Sequence, residues 1–164
     1  MAVGAEAVRE HCALPSRAVT PKMSRQATVK AVGSRPANGP MQTCRILVVD
    51  DHPDTARSYG ELLSAMGHQC QYTTDPRATL ALAKALNPHL ALLDIGLAAD
   101  LDGHSLARQL RAEFGNLITL VAVTAYGREE DRVRTRKAGF DAHVTKPMDI
   151  DMLESIVDTA CAPD

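Results

Sequence analysis

One stretch of this sequence decides the fold: residues 45–54 read RILVVDDHPD. A short apolar run rich in β-branched side chains is followed at once by two acids, and then by a proline. A continuous run of this kind is typical of a strand that is buried on both faces, as in a parallel sheet. Proline favours the first position of a helix. The stretch therefore predicts a buried parallel strand whose carboxyl end carries acids and leads into a helix.

The same strand-then-helix pattern recurs through residues 44–164. We expect strands at 45–50, 69–73, 90–94, 117–124 and 143–145. We expect helices at 53–66, 76–86, 106–114 and 128–138, and a last one after residue 149. Five such units in about 120 residues are typical of an α/β fold. They predict a flavodoxin-like, doubly wound, five-stranded parallel sheet in the order 2-1-3-4-5 with five helices.

Polar side chains stand where four of these strands end. They are Asp50 and Asp51 on the first strand, Asp94 on the third, Thr124 on the fourth and Lys146 on the fifth. Ligands of such folds bind beyond the carboxyl ends of the strands. Carboxylates gathered there would repel one another by several kcal/mol unless a cation holds them. An all-oxygen set of this kind favours Mg²⁺.

The hydroxyl of Thr124 and the amine of Lys146 are groups that can bind a phosphoryl group. A cation shields a carboxylate so that it can attack phosphorus, and Thr124 can donate to a phosphoryl oxygen. Lys146 can pair with Asp94 at rest and with the phosphoryl charge afterwards. Each residue also has a plainer interpretation, since an Asp at a strand end is often only a helix N-cap. Their joint placement at one edge of the sheet is what favours a site.

Four motifs together resemble a response regulator receiver domain: VVDDHPD at 48–54, LLDIG at 92–96, VTAY at 123–126 and TKP at 145–147. The resemblance covers about residues 44–162 and is strongest to single-domain regulators and to the receivers of hybrid sensor kinases. It implies a phosphoacceptor in two-component or phosphorelay signalling. A sensor histidine kinase or a phosphotransfer protein would donate the phosphoryl group, and a downstream protein would bind the switched surface.

The resemblance also assigns roles by position. Asp94 would be the phosphoacceptor, and Thr124 and Lys146 would hold the phosphoryl oxygens. The ligands of Mg²⁺ would be Asp51 and Asp94 directly, Asp50 largely through water, and the backbone carbonyl of Gly96.

Three further positions modify this assignment. The switch position, three residues before the lysine, is usually Phe or Tyr in the family and is His143 here, which would bring either pH sensitivity or only a half-buried polar ring. Ala125 would leave room for the donor. Tyr126 would either shield the phosphoryl group or be a surface tyrosine.

The loop 96–103 is one residue longer than usual and lacks a proline, so we expect it to be looser, with Asp100 and Asp102 as loop acids.

Composition excludes several other classes. The net charge is −2 and aromatic residues make up 3% of the chain, which argues against a nucleic-acid-binding protein. The longest apolar run, residues 117–123, is too short to span a membrane. Four well-separated cysteines suggest idle thiols rather than a disulfide framework or a zinc site, and hence a reducing, cytoplasmic location.

Residues 1–43 differ from the remainder. They carry six basic and two acidic side chains and four prolines, with no sustained helical or strand period. We expect a disordered basic extension preceding a receiver domain at 44–164. Met41 lies just before the first strand, so a start site assigned too far upstream would also explain the segment.

Two other functions stay open. A pseudo-receiver would bind partners without being phosphorylated, although the complete set of acids argues against it. A phosphohydrolase with an aspartyl-phosphate intermediate commonly needs a second acid two residues after the nucleophile, and that position is Gly96 here. We therefore expect no enzymatic activity other than the phosphorylation and dephosphorylation of the chain itself. Because no output segment follows residue 164 in this sequence, we expect output through protein–protein contact.

Overall fold

The computed structural model describes residues 43–97, 101–125 and 129–162. Within them lie five strands: β1 Arg45–Val49, β2 Gln69–Thr73, β3 Leu90–Asp94, β4 Thr119–Thr124 and β5 Ala142–Thr145. The α-helices are α1 Pro53–Ala65, α2 Thr79–Leu86, α3 Gly103–Phe114, α4 Glu129–Ala138 and α5 Ile150–Ala160. The expectations for residues 1–42, for Ala98–Asp100 and for Tyr126 lie outside the described residues.

The strands form one parallel sheet in the order β2-β1-β3-β4-β5. This confirms the predicted order, and with five helices it confirms the predicted fold. Alternate residues of the strands point to opposite faces. Leu47, Leu93 and Leu120 pack with α2, α3 and the end of α4. Ile46 and Leu92 pack on the other face, with α1 and α5. Both faces are therefore covered, which explains why the central strands are continuous apolar runs.

Short polar side chains determine where several helices begin. Asp102 accepts a hydrogen bond from the backbone N–H of Ser105 at 2.6 Å, and Asp149 accepts one from that of Met152 at 2.8 Å. These N-caps satisfy donors that the first helical turn leaves unpaired. Asp75 caps a 3-10 turn at Pro76–Ala78 rather than the α-helix predicted to begin at residue 76; α2 itself begins at Thr79.

The fourth strand is shorter than predicted. It begins at Thr119 instead of residue 117, and Leu117 is 56% exposed in a 3-10 turn at Gly115–Leu117. The physical reason is Arg111 on α3, whose guanidinium donates to the carbonyls of Gly115 and Ile118 and holds this segment in a turn. The apolar run in the sequence begins at Leu117, two residues before the backbone joins the sheet.

Arg111 also connects α3 to the loop before β5. Its guanidinium donates to the carbonyl of Gly139 and to Asp141 Oδ2, both at 2.7 Å. Asp141 Oδ2 in turn accepts the N–H of Leu120 at 2.8 Å. One side chain thus holds three chain segments together at the amino end of β4.

We expect Arg111→Met to lower the free energy of unfolding by about 2 kcal/mol, because several half-buried backbone acceptors lose a charged donor. Urea denaturation followed by circular dichroism measures this. The matched control is Arg57→Met, which removes an exposed pair with Glu61 one helical turn away and should cost less than about 0.5 kcal/mol. Equal losses in the two variants would contradict the role given to Arg111.

The expectation of idle thiols is wrong for two cysteines. Cys44, just before β1, and Cys161, just after α5, form a disulfide whose Cα atoms lie 6.0 Å apart. Their separation of 117 residues along the chain concealed the pairing, because only the fold brings the first strand and the last helix together. Cys70 is a free thiol, and Cys12 lies outside the described residues.

A membrane-spanning helix is not found in the part of the chain that the structure describes, where the helices are too short and too polar to cross a bilayer.

Candidate functional site

The polar residues predicted at the strand ends converge at one edge of the sheet. Because the strands are parallel, their carboxyl ends all face this edge. Asp50 follows β1 and is 3% exposed, Asp94 ends β3 at 5%, and Thr124 ends β4 at 7%. Acids and hydroxyls are seldom buried to this extent without a specific partner. Burial of all three at one edge marks a built site.

Lys146 joins the two buried acids. Its Nζ donates to Asp50 Oδ2 at 2.6 Å and to Asp94 Oδ2 at 2.8 Å. Burial by itself lowers the pKa of Lys146, but the hydrogen bonds to the two carboxylates outweigh burial and raise the pKa above its ordinary value. Its backbone N–H donates to the carbonyl of Thr124 at 2.7 Å, and the bond to Pro147 is cis. The ammonium is therefore charged and held by the end of the sheet.

The Asp94 carboxylate is oriented from two sides. Its Oδ1 accepts the N–H of Gly96 at 2.8 Å, while Oδ2 accepts from Lys146. The next residue, Ile95, donates its N–H to the carbonyl of Val123 at 3.0 Å. The main chain around Asp94 is thus fixed to the neighbouring strand, and the side chain has little freedom to turn.

The acid pair lies beside Asp94. One oxygen from each of Asp50, Asp51 and Asp94, and one nitrogen of His52, lie within 4.8 Å of one another and could hold a metal ion. Like charges at that separation repel by about 3 kcal/mol per pair at an effective dielectric constant near 20. One ammonium does not balance three carboxylates. The donors are mainly hard oxygens, so the residues fit a hard divalent cation.

His52 was not among the residues predicted for the site. Its Nδ1 lies 2.9 Å from Asp51 Oδ1 and 3.4 Å from Asp50 Oδ1, and its backbone N–H donates to Asp50 Oδ1 at 3.0 Å. The signal was its position directly after the acid pair, at the N-cap of α1. Its side chain remains 72% exposed, so it borders the acids from the solvent side.

A second residue missed from the sequence is Gly103, the first residue of α3. A Cβ at this position would collide with the backbone carbonyl of Asp94 and would lie 2.8 Å from the Cα of Ile95. Only glycine lets α3 begin this close to the end of β3. A glycine after a run of loop residues was the available signal.

The remaining predicted residues are placed as follows. Gly96 and Ala125 are both exposed; Gly96 donates its N–H to Asp94, and Ala125 directly follows β4. The role of the Gly96 carbonyl as a ligand stays a prediction. Asp102 does not join the acid cluster and instead caps α3, as expected of a loop acid.

His143 lies in β5, half-buried and facing α4. Its Nδ1 is 3.4 Å from the hydroxyl of Thr135, which itself donates to the carbonyl of Asp131 at 2.7 Å. The ring is therefore in contact with α4 in this structure. Its role as a switch, and any pH sensitivity, stay predictions.

Comparison with known proteins finds one matching family and several similar proteins. Residues 46–158 match the family described as "Response regulator receiver domain". The chain is 31% identical over 109 residues to the sensor histidine kinase RcsC of Salmonella typhimurium, a match covering 66% of this chain and 11% of that kinase. It is 33% identical over 117 residues to an uncharacterized 14.6 kDa protein of Leptolyngbya boryana, covering 71% of this chain and 88% of that one.

A solved structure shows the same architecture. It is a CheY-like response regulator receiver domain protein from Methanospirillum hungatei, which is 29% identical in sequence with a TM-score of 0.66. The similarity covers 73% of this chain and 95% of that one. The match with RcsC spans about a tenth of the kinase, so the similarity concerns one domain of that protein.

Proposed function

The chain belongs to the response regulator receiver domain family of two-component signalling, and from that premise we propose that it accepts a phosphoryl group on Asp94. The donor would be a phosphohistidine of a sensor kinase or of a phosphotransfer protein. The observation that carries the proposal is the position of Lys146, whose ammonium bridges Asp50 and Asp94 at the carboxyl edge of the sheet.

The arrangement supports a direct transfer. An oxygen of Asp94 would form a bond to phosphorus while the bond from phosphorus to the donor imidazole breaks, leaving its electron pair on that nitrogen. Lys146 and Thr124 stand where they can bind the oxygens of the transferred group. Asp50, Asp51 and Asp94, with the Gly96 carbonyl, would hold Mg²⁺. When bound, Mg²⁺ lowers the negative charge of the acids so that an anionic phosphoryl group can approach.

The output we propose is a change in the surface formed by α4, β5 and α5. Three apolar side chains are exposed here: Val133 at 40%, Ile150 at 53% and Met152 at 37%. Val133 lies on α4, and Ile150 and Met152 lie in the first turn of α5; we propose that these side chains take part in the protein contact. α5 begins four residues after Lys146, so movement of that lysine reaches this surface through a short connection. A protein partner downstream is therefore part of the proposal.

Titration with beryllofluoride and Mg²⁺, followed by ¹H–¹⁵N spectra, tests the function. We expect saturable shifts at residues around Asp94 and on the surface of α4, β5 and α5. Shifts with Mg²⁺ alone, and none on adding beryllofluoride, would favour the pseudo-receiver. Continuous release of phosphate from a small phosphomonoester in excess would favour the phosphohydrolase.

We also propose that the chain catalyses chemistry only on itself and resides in the cytoplasm, where phosphohistidine donors are made.

We expect Lys146→Ala to leave labelling by acetyl phosphate partly intact but to uncouple it from the distant surface. The buried carboxylates of Asp50 and Asp94 lose their cation, so the free energy of unfolding should fall by about 2–3 kcal/mol without Mg²⁺ and recover largely when Mg²⁺ is added. Thermal melts with and without Mg²⁺, together with the beryllofluoride spectra, measure both effects.

The matched control is Lys84→Ala, which removes an exposed pair with Glu113. It should change the free energy of unfolding by less than about 1 kcal/mol and leave the spectral response to beryllofluoride unchanged. A Lys146→Ala protein that still shows the full response on α5 would contradict the coupling role.

A further inference from the structure

The disulfide between Cys44 and Cys161 lies at the end of the molecule opposite the acid site. Cys44 precedes β1, whereas Asp50 follows it, so the length of the strand separates the two. The bond joins the amino end of a central strand to the last turn of α5. This helix therefore starts close to Lys146 and ends at the disulfide.

Cys44 lies in a closed environment beside the ring of His89. Cys44 is fully buried, and the Nδ1 of His89 lies 3.7 Å from its Sγ. That same nitrogen accepts the backbone N–H of Arg45 at 3.2 Å, so it presents a lone pair and not a proton. Burial, with the charge of Arg45 as a second cause, lowers the pKa of His89, which keeps the ring neutral near pH 7. The lone pair of Nδ1 is therefore already used by the main chain, and the ring lies beside the Cys44 sulfur without donating a proton to it.

The two sulfurs differ in access. Cys161 is half-buried at the end of its helix, whereas Cys44 is fully buried. An external thiolate therefore has easier access to Cys161 than to Cys44. Attack there makes Cys44 the leaving sulfur, and His89 lies beside that sulfur.

We propose that Cys44 and Cys161 form a reversible redox site, opened by a dithiol reductant, that controls how firmly α5 is held against the sheet. A thiolate of the reductant bonds to Cys161 Sγ, and the electron pair of the broken bond passes to Cys44 Sγ, which takes up a proton. The second sulfur of the reductant then bonds to the first, and Cys161 Sγ leaves with the electron pair of the broken bond and takes up the proton of that second thiol. The reductant leaves as a disulfide and the protein holds two thiols.

The consequence for signalling rests on the proposed function. In a reducing cytoplasm, disulfides are usually transient and regulatory rather than structural. α5 contributes to the surface proposed for the partner, so opening the bond frees its last turn and weakens the path from Lys146 to that surface. The oxidised form is the one in which α5 is held at both ends.

The test uses the full chain in defined mixtures of oxidised and reduced dithiothreitol. After denaturation and alkylation, the chain's four cysteines should give two free thiols when oxidised and four when reduced, and peptide mapping should identify Cys44 and Cys161 as the linked pair. Hydrogen exchange of residues 150–162 should become about tenfold faster on reduction of the native protein, because the end of α5 opens locally.

Two variants make the test specific. Cys161→Ser removes the bond, so its exchange and melting temperature should not respond to dithiothreitol. Cys70→Ser removes a free thiol in β2 and should respond as the natural chain does. The proposal is overturned if the native protein always yields four thiols, if the bond forms but resists a dithiol in the folded state, or if reduction leaves exchange in α5 unchanged.

A beryllofluoride titration in both redox states separates this inference from the proposed function. A smaller spectral response of α5 in the reduced state supports the coupling, and an identical response in both states contradicts it. Absence of any beryllofluoride response in either state would refute the phosphoacceptor function, while the thiol counts and exchange rates would still decide the redox site.

Discussion

Asp94→Asn is expected to abolish covalent phosphorylation while the protein remains folded. The amide has nearly the shape of the carboxylate but is not a nucleophile towards phosphorus. Its oxygen can keep one of the two hydrogen bonds that Asp94 accepts from Gly96 and Lys146. Loss of one charge also relieves repulsion from Asp50 and Asp51, which offsets the weaker bond to the lysine. We therefore expect little change in the free energy of unfolding, within about 1 kcal/mol.

Labelling with acetyl phosphate and Mg²⁺, read by mass spectrometry or by gel mobility, measures the effect. The matched control is Asp102→Asn, because Asp102 lies close in sequence but caps α3. Asparagine is as good an N-cap as aspartate, so this variant should be labelled at the natural rate. Continued labelling of the Asp94→Asn protein on the same peptide would show that another residue is the acceptor.

Gly103→Ala is expected to produce the largest loss of stability. The new Cβ would meet the backbone of Asp94 and Ile95, and backbone in a buried strand cannot move aside as a flexible side chain can. Overpacking of a rigid site costs about 1–3 kcal/mol and sometimes more. We expect at least about 3 kcal/mol here, measured by urea denaturation, together with a lower rate of labelling because Asp94 is displaced.

The control for that variant is Gly96→Ala, in the same connection between β3 and α3. A Cβ there would lie 3.5 Å from Asp94 Oδ1, an ordinary van der Waals contact. This variant should lose less than about 1 kcal/mol and retain its backbone carbonyl. If the two alanine variants prove equally stable, the close approach of α3 to Asp94 is not the constraint described above.

Much of the fold could be predicted because local pattern and global packing agree. The runs at residues 46–49 and 90–93 are apolar throughout because both faces of the sheet are covered. Their length and the acids that follow were enough to place the strands and to bring the acids to one edge. The predicted start of β4 was wrong because an apolar pattern contains no information on hydrogen bonds from a distant side chain. Here these are the bonds from Arg111 to backbone carbonyls.

The convergence of the main polar residues at one edge of the sheet was predicted, whereas the residues that support their positions were missed. Asp50, Asp94 and Lys146 are polar residues at strand ends, and a parallel topology alone makes them neighbours. Gly103 was missed because its importance lies in a distance between two backbones, which no residue pattern contains. The link from Cys44 to Cys161 was missed for the same reason, since it depends on how the last helix crosses the sheet.

The contacts of Lys146 with Asp50 and Asp94 join residues 96 and 52 positions apart along the chain. Lys146 directly follows β5, the last strand of the described sheet to be synthesised. A chain whose synthesis has not reached it therefore holds Asp50 and Asp94 without their ammonium. Contacts between residues so far apart along the chain carry a large loop-closure entropy and slow folding. If Asp94 is the phosphoacceptor, as proposed, a newly made molecule would accept a phosphoryl group only once its whole sheet is complete, and unfinished chains would not compete with mature ones for the donor.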